Sequence, residues 1–240
     1  MRVLLKLSGE SLGTSDSRGI DFEKVLDICK EIKSVVEKTN IELSIVIGGG
    51  NFWRGRSNQQ MDRCTSDYIG MLATTMNALA LADGFKQLGQ ESRVQTGIEM
   101  RQIAELYIKN RAVRHMQKGR IVIYGCGTGS PFFSTDTAAA LRAAEVSADI
   151  LIKATNVDGI YTNDPKKDKS ATKYDKLSYI DVLNKNIKVM DSTAITLCME
   201  NNIPIVVYNL NKKGDLLKII KGESIGTIVG ECKCLQKKVK

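Results

Sequence analysis

Three short apolar runs each end in a glycine-rich turn: Val3-Leu4-Leu5-Lys6-Leu7-Ser8-Gly9, Ile45-Val46-Ile47-Gly48-Gly49-Gly50-Asn51 and Ile121-Val122-Ile123-Tyr124-Gly125-Cys126-Gly127-Thr128-Gly129. Glycine lets successive backbone N–H groups crowd an anion in a concave nest. Three such turns after strand-like runs point to a crevice for more than one phosphate group. The first run also carries a lysine, which is costly to bury in an apolar strand unless it meets negative charge. In such a crevice Lys6 would neutralise charge on transferring phosphoryl oxygens. On an isolated edge strand it would face solvent instead, and the other two glycine turns weigh against that.

Other chemistries are excluded by what is missing. The P-loop pattern G-x-x-x-x-G-K-[ST] is absent, since no Gly-Lys pair occurs. Gly125 and Gly127 fit a dinucleotide fingerprint, but Ser130 takes the place of its third glycine. His115 is the single histidine, so neither a histidine-based triad nor a multi-histidine metal site can be built. Cys232 and Cys234 lack two further well-placed ligands for zinc.

Composition sets the frame. The 240 residues suffice for one sizeable core, with 42% apolar and 26% charged residues. No stretch approaches the roughly 18 apolar residues of a membrane helix. Met1-Arg2 leads directly into a strand-like run, so no signal peptide is read and a cytoplasmic protein is expected. The six cysteines show no disulfide framework, which fits reduced thiols. A net charge of +8 suits polyanionic substrates or leaves nucleic acid as a secondary partner. Its densest cluster is the tail Lys233, Lys237, Lys238 and Lys240.

The elements that must position these turns alternate strand and helix. Strands are expected at Arg2–Leu7, Glu42–Ile47, Ser92–Gln95, Arg120–Tyr124, Ile150–Ala154, Ile203–Tyr208 and Gly226–Val229. Helices are expected from Asp21 to about Lys38, Asp67 to about Leu88, Thr135 to Val146, Asp191 to about Asn201 and Asp215 to Ile220. Asp158-Gly159 signals a tight hairpin, and Asn163 to Lys176 reads as a polar surface excursion. The alternation implies a mainly parallel sheet covered on both faces, with ligands at the carboxyl ends of its strands.

Several motifs in order carry a family resemblance: Lys6-Leu7-Ser8-Gly9-Glu10, Gly48-Gly49-Gly50-Asn51 with Arg54-Gly55, and Gly127-Thr128-Gly129-Ser130-Pro131-Phe132-Phe133-Ser134-Thr135-Asp136. Lys153-Ala154-Thr155-Asn156-Val157-Asp158-Gly159-Ile160-Tyr161 and Lys188-Val189-Met190-Asp191 complete the set. Together, from Arg2 to Val229, the chain resembles the bacterial uridylate kinases of the amino acid kinase family. Asp67, Gly70-Met71-Leu72-Ala73-Thr74 and the Phe-Phe run with Asp136 mark that branch.

The resemblance implies a three-layer αβα sandwich in α/β class, assembled as a homohexamer. It implies transfer of a phosphoryl group from ATP to UMP with Mg2+, the metal being carried by ATP phosphates and water with no direct protein ligand. Residues 1–240 would form one domain. About 1–150 would mainly hold the acceptor, about 151–230 mainly ATP, and 231–240 would be a basic tail. Lys6, Leu7, Ser8, Gly9, Gly50 and Arg54 would face the ATP phosphates, and Thr155, Asn156, Tyr161 and Asp164 the nucleoside of ATP. Gly49, Asp67 and the run Thr128, Gly129, Ser130, Pro131, Phe132, Phe133, Ser134 and Thr135 would receive UMP, with Asp67 accepting bonds from ribose hydroxyls.

The residue chemistry agrees. A phosphate monoester has a second pKa of about 6, so its attacking oxygens are largely ionised at neutral pH and need no histidine base. Cations and oriented N–H donors must instead bring two polyanions together. Lys6, Arg54, Asp136 and Asp191 are the expected catalytic set, the two aspartates orienting Lys6 and the metal's water shell. From spacing alone, either aspartate could be a plain N-cap. Ser134-Thr135-Asp136 at a helix start reads as a phosphate seat whose hydroxyls donate, with one phenylalanine ring packed inward and the other shaping the pocket.

Two positions depart from the family pattern. Thr14-Ser15-Asp16-Ser17-Arg18-Gly19 replaces the glycine-rich stretch tied to GTP activation, which argues against GTP as an effector and leaves UTP inhibition at the UMP pocket open. Ser130 stands where asparagine is usual, so a changed affinity is expected. The alternatives are a kinase of another small acid or phosphate on the same fold, and a non-catalytic nucleotide sensor or nucleic-acid-binding regulator.

Overall fold

Side chains alternate along strand β1 (Arg2–Leu7), and this alternation divides the core. Val3, Leu5 and Leu7 face one helical layer, while Leu4 faces the other, each fully buried. The computed structural model describes residues 1–14, 16, 18–53, 61–163, 168 and 170–232. Arg54, Asp164 and Cys234, with the lysines of the tail, lie outside the described residues.

The sheet is completed by β2 (Glu42–Ile47), β3 (Ser92–Thr96), β4 (Glu105–Leu106), β5 (Ile121–Gly125), β6 (Ile150–Thr155), β9 (Lys176–Leu177), β10 (Ile205–Asn209) and β11 (Thr227–Val229). Its order is β4-β3-β5-β2-β1-β6-β10-β11-β9, with β1 in the middle. All pairs are parallel except β10 with β11. β7 (Ile160–Tyr161) and β8 (Lys173–Tyr174) form a separate antiparallel pair. Helices α1 (Phe22–Thr39), α2 (Arg63–Gln87) and α7 (Asp215–Lys221) pack on one face. Helices α3 (Lys109–Gln117), α4 (Thr135–Glu145), α5 (Tyr179–Asn184) and α6 (Ser192–Glu200) pack on the other. This is the expected three-layer αβα sandwich.

The chain moves from β1 to β2 on one side, and β6 then pairs with β1 on the other. Such a change of direction opens a crevice at the carboxyl ends of the central strands. The three glycine turns and the segment after β6 all lie there.

Several elements differ from the sequence reading. α2 starts at Arg63, four residues before the expected Asp67, because Asp62 caps it by accepting the Thr65 N–H at 2.8 Å. α3 and α5 are not read from the sequence: α3 is short and polar overall, burying only Ala112 and Met116 among its nine residues, and α5 has six residues. The Asp158-Gly159 turn does not close a tight hairpin, since β7 pairs with β8 beyond a loop. Part of the supposed surface excursion supplies β8 and the edge strand β9.

Candidate active site

Lys6 and Lys153 are register partners on β1 and β6, so both side chains leave the sheet on the same face. That face is covered by α4, and Asp136 in its first turn lies between them. Its Oδ1 is 3.0 Å from the Lys6 ammonium, and its Oδ2 accepts from Lys153 at 2.8 Å. All three side chains are less than one-fifth exposed. Burial alone would push the Asp136 carboxyl up, but the charges and hydrogen bonds of the two lysines outweigh it and hold the pKa below the ordinary value. Burial and the nearby Lys6 charge lower Lys153, against the opposing pull of Asp136 and Asp191. Two cations sharing one anion leave a net positive centre facing the crevice.

Lys153 is the residue that sequence reasoning missed. The signal was present: a lysine inside the apolar run Ile150–Ala154 poses the same burial problem as Lys6. Its ammonium also donates to the Val189 carbonyl, which ties β6 to the segment before α6.

Asp191 does not pair with Lys6. Its carboxylate caps α6 through the Ala194 N–H at 2.9 Å and accepts from the hydroxyls of Ser134 and Thr137, the latter at 2.9 Å. Asp191 is therefore the N-cap of α6, and its charge also reaches Lys153. Asp136 does orient Lys6 directly, and each of its oxygens faces a lysine.

Ser134 caps α4, accepting the N–H groups of Asp136 and Thr137 at 3.0 and 3.2 Å. A hydroxyl has one proton to give, and that of Ser134 goes to Asp191. Ser134 is thus not an open donor to phosphate as expected. Among the described residues the Thr135 hydroxyl makes no hydrogen bond.

The acceptor-side residues are brought together by α2. Asp67 Oδ2 accepts from Arg63 Nε and from the backbone N–H of Phe132, both at 2.8 Å. This bond pins the loop Thr128–Phe133 to the start of α2. Phe132 is 63% and Phe133 51% exposed, so neither ring packs inward, contrary to expectation. Arg63 lies over the Phe132 ring, 5.5 Å from its centroid. Within the loop, Thr128 Oγ1 accepts the Ser130 N–H at 3.1 Å.

The glycine turns also pack against one another. A Cβ on Gly9 would lie 2.5 Å from Asn51 Oδ1 and 2.6 Å from the Gly48 carbonyl. One on Gly49 would lie 2.9 Å from Ala73 Cβ and from the Gly70 carbonyl of α2. Asn77 of α2 holds the second turn, donating to the Gly48 carbonyl at 2.7 Å and pairing with Asn51. Thr74 accepts the Cys126 N–H of the third turn at 2.8 Å. Asn77 and Thr74 were not singled out as site residues, because each acts on backbone that only the fold brings near.

On the other side of Lys153 lies a cleft of about 580 Å³, lined by Thr155, Tyr161, Lys185 and Val189 among others. A smaller one, about 190 Å³, is lined by Lys6, Ser8, Lys153, Thr155 and Asn156. Lys153 and Thr155 border both. Thr155 Oγ1 donates to the Val157 carbonyl at 2.7 Å, and Tyr161 OH to Asp158 at 2.5 Å. His115 is structural, sitting 3.1 Å from Glu105 Oε2 and 3.3 Å from Arg120 Nη1.

Residues 1–209 match the family model described as the amino acid kinase family. The chain belongs to the amino acid kinase family. Among solved structures, the UMP kinase of Bacillus anthracis is 42% identical with a TM-score of 0.92, covering 95% of each chain. The UMP kinase of Ureaplasma parvum is 36% identical with a TM-score of 0.89, over 96% of this chain and 98% of that one. The uridylate kinase of Archaeoglobus fulgidus is 29% identical with a TM-score of 0.72, over 96% and 100%. The likeness extends over nearly the full length of the chain. Among the described residues no helix is long and apolar enough to cross a membrane.

Proposed function

We propose that this protein is a UMP kinase, transferring the γ-phosphoryl group of ATP to UMP to give UDP and ADP in the cytoplasmic synthesis of pyrimidine nucleotides. The observation that carries this reading is the buried Lys6–Asp136–Lys153 centre, whose lysines line two clefts, in a chain so similar to UMP kinases of known structure.

A phosphate oxygen of UMP forms the new P–O bond, the bond from γ-phosphorus to the bridging oxygen breaks, and its electron pair stays on ADP. The attacking oxygen is already ionised, so no side chain abstracts a proton. Lys6 and Lys153 lie where charge builds on the transferring group, and Asp136 fixes them in advance, which is electrostatic preorganisation. Mg2+ carried by ATP would supply further neutralisation of that charge. The cleft past Lys153 suits the ATP nucleoside, and the loop pinned by Asp67 suits UMP. UTP would compete for that acceptor site.

Self-association also forms part of the reading. Tyr68, Leu72 and Met76 recur every four residues along one exposed face of α2, an apolar stripe that a second copy would cover. A homohexamer is the expected assembly, read by light scattering. The deciding experiment on function is an ADP-release assay across UMP, CMP, AMP and carbamate. UMP should be strongly preferred; preference for another acceptor would overturn the assignment.

A further inference from the structure

A buried cation that no step above uses holds the third glycine turn. Arg142 of α4 is 5% exposed. Its Nη1 pairs with Glu145 at 2.6 Å, and its Nη2 donates to the Gly127 carbonyl at 3.4 Å. The guanidinium lies 3.8 Å over the Tyr107 ring, which in turn meets Tyr124 edge-on at 5.6 Å. Pairing with Glu145 alone would be satisfied on the helix surface. Burying the arm costs desolvation, so the contact with the turn calls for a reason.

The turn supplies one. Cys126 and Gly127 are both left-handed, with φ of 59° and 54°, and Gly129 follows at 85°. For Cys126 that conformation is unfavourable. Every peptide described is trans, so a carbonyl and the following N–H point in opposite directions. Drawing the Gly127 carbonyl towards α4 therefore turns the Thr128 N–H away from the helix. Among the described residues that N–H has no hydrogen-bond acceptor.

We infer that Arg142 is a positioning residue for the acceptor: it fixes the Gly127–Thr128 peptide so that the Thr128 N–H is presented to an anionic group of the acceptor nucleotide. This rests on the acceptor assignment above. A guanidinium suits the task because its planar fork serves Glu145 and Gly127 together while stacking on Tyr107.

The test compares wild type with Arg142→Met, Arg142→Lys and Glu145→Gln. Arg142→Met should raise the KM for UMP about tenfold, the effect of one charge-assisted hydrogen bond, with the KM for ATP within about twofold. Arg142→Lys should fall between, and Glu145→Gln, which spares the Gly127 contact, should stay close to wild type. A crystal structure of free Arg142→Met should show the Gly127–Thr128 peptide turned. Retention of its orientation would overturn the inference, as would an unchanged UMP KM or an equal rise in both KM values. Should Arg142→Met fail to fold, Arg142→Lys, which keeps charge and length, carries the same kinetic and structural readouts. A wild-type enzyme inactive on UMP would refute the function proposed above, and the peptide's orientation in the free variant would still decide this point.

Discussion

Lys6 and Lys153 stand side by side on adjacent parallel strands, and a single carboxylate, Asp136, answers both. Neighbouring strands are about 4.8 Å apart, so like charges there repel. Asp136 offsets that repulsion without cancelling it. The three ion-paired groups carry one positive charge in excess, with Asp191 pulling on Lys153 from beside them. A pair of nucleotide phosphates would relieve the remaining repulsion as it enters.

Removing either lysine should act on turnover more than on acceptor affinity. Lys6→Ala is expected to lower kcat by about 10²–10³, the usual cost of one preorganised donor in the transition state, with the KM for UMP little changed. Lys153→Ala should behave alike. Steady-state kinetics with both substrates varied gives the answer, and unchanged turnover in Lys6→Ala would remove Lys6 from the mechanism.

Asp136→Asn should destabilise the fold, because two lysines are left without their counter-charge. Taking one partner from a buried ion pair costs about 3–5 kcal/mol, and partial exposure here trims that. The sign with pH follows from the lowered carboxyl pKa. Its stabilisation is complete above the ordinary value of 3.8 and is lost as pH falls through the lower native value. The gap in melting temperature between wild type and Asp136→Asn should therefore be wide at neutral pH and narrow in acid. A gap independent of pH would show that the carboxylate charge does not matter.

Much of the frame was legible in the sequence because its signals are local. The buried strands β1, β2 and β5 read as apolar runs, and Asp21 marked the start of α1, which it caps; the cap of α4 is Ser134, where spacing had offered Asp136. Lys6 and Asp136 were legible as partners, and the ion pair between them bears that out. What escaped depends on distance through space. Ser134 looked like a phosphate donor until Asp191, 57 residues away, took its proton. The exposure of Phe132 and Phe133 follows from a loop pinned by Asp67, 65 residues before Phe132. α3 hid behind its polarity, with Lys109, Arg111, Arg114 and Lys118 in one short segment.

Asp67→Ala should weaken UMP binding chiefly by releasing the loop at Phe132. It removes the acceptor of two hydrogen bonds, one from a charged group, so a rise of about 10- to 100-fold in the KM for UMP is expected. Asp67→Asn keeps an acceptor for the Phe132 N–H and should recover part of the loss. The KM for ATP should not move in either variant. A change confined to ATP would place Asp67 on the wrong side of the crevice.

Gly9→Ala and Gly50→Ala separate two reasons for glycine in these turns. At Gly9 a methyl would meet the Gly48 carbonyl at 2.6 Å and the Gly50 nitrogen at 2.8 Å, both backbone atoms that cannot swing aside. At Gly50 the nearest atom is Glu10 Oε1 at 3.1 Å, the end of a flexible side chain. Overpacking of the first kind costs about 1–3 kcal/mol, so Gly9→Ala should lower the melting temperature clearly. Gly50→Ala should melt near wild type. If Gly50 serves the phosphates by close backbone approach, its alanine variant should still lose ATP affinity, because a side chain there hinders that approach. Equal melting losses in both variants would mean that the first and second turns are not packed as described. A stable Gly50→Ala enzyme with unchanged ATP affinity would remove that glycine from the nest.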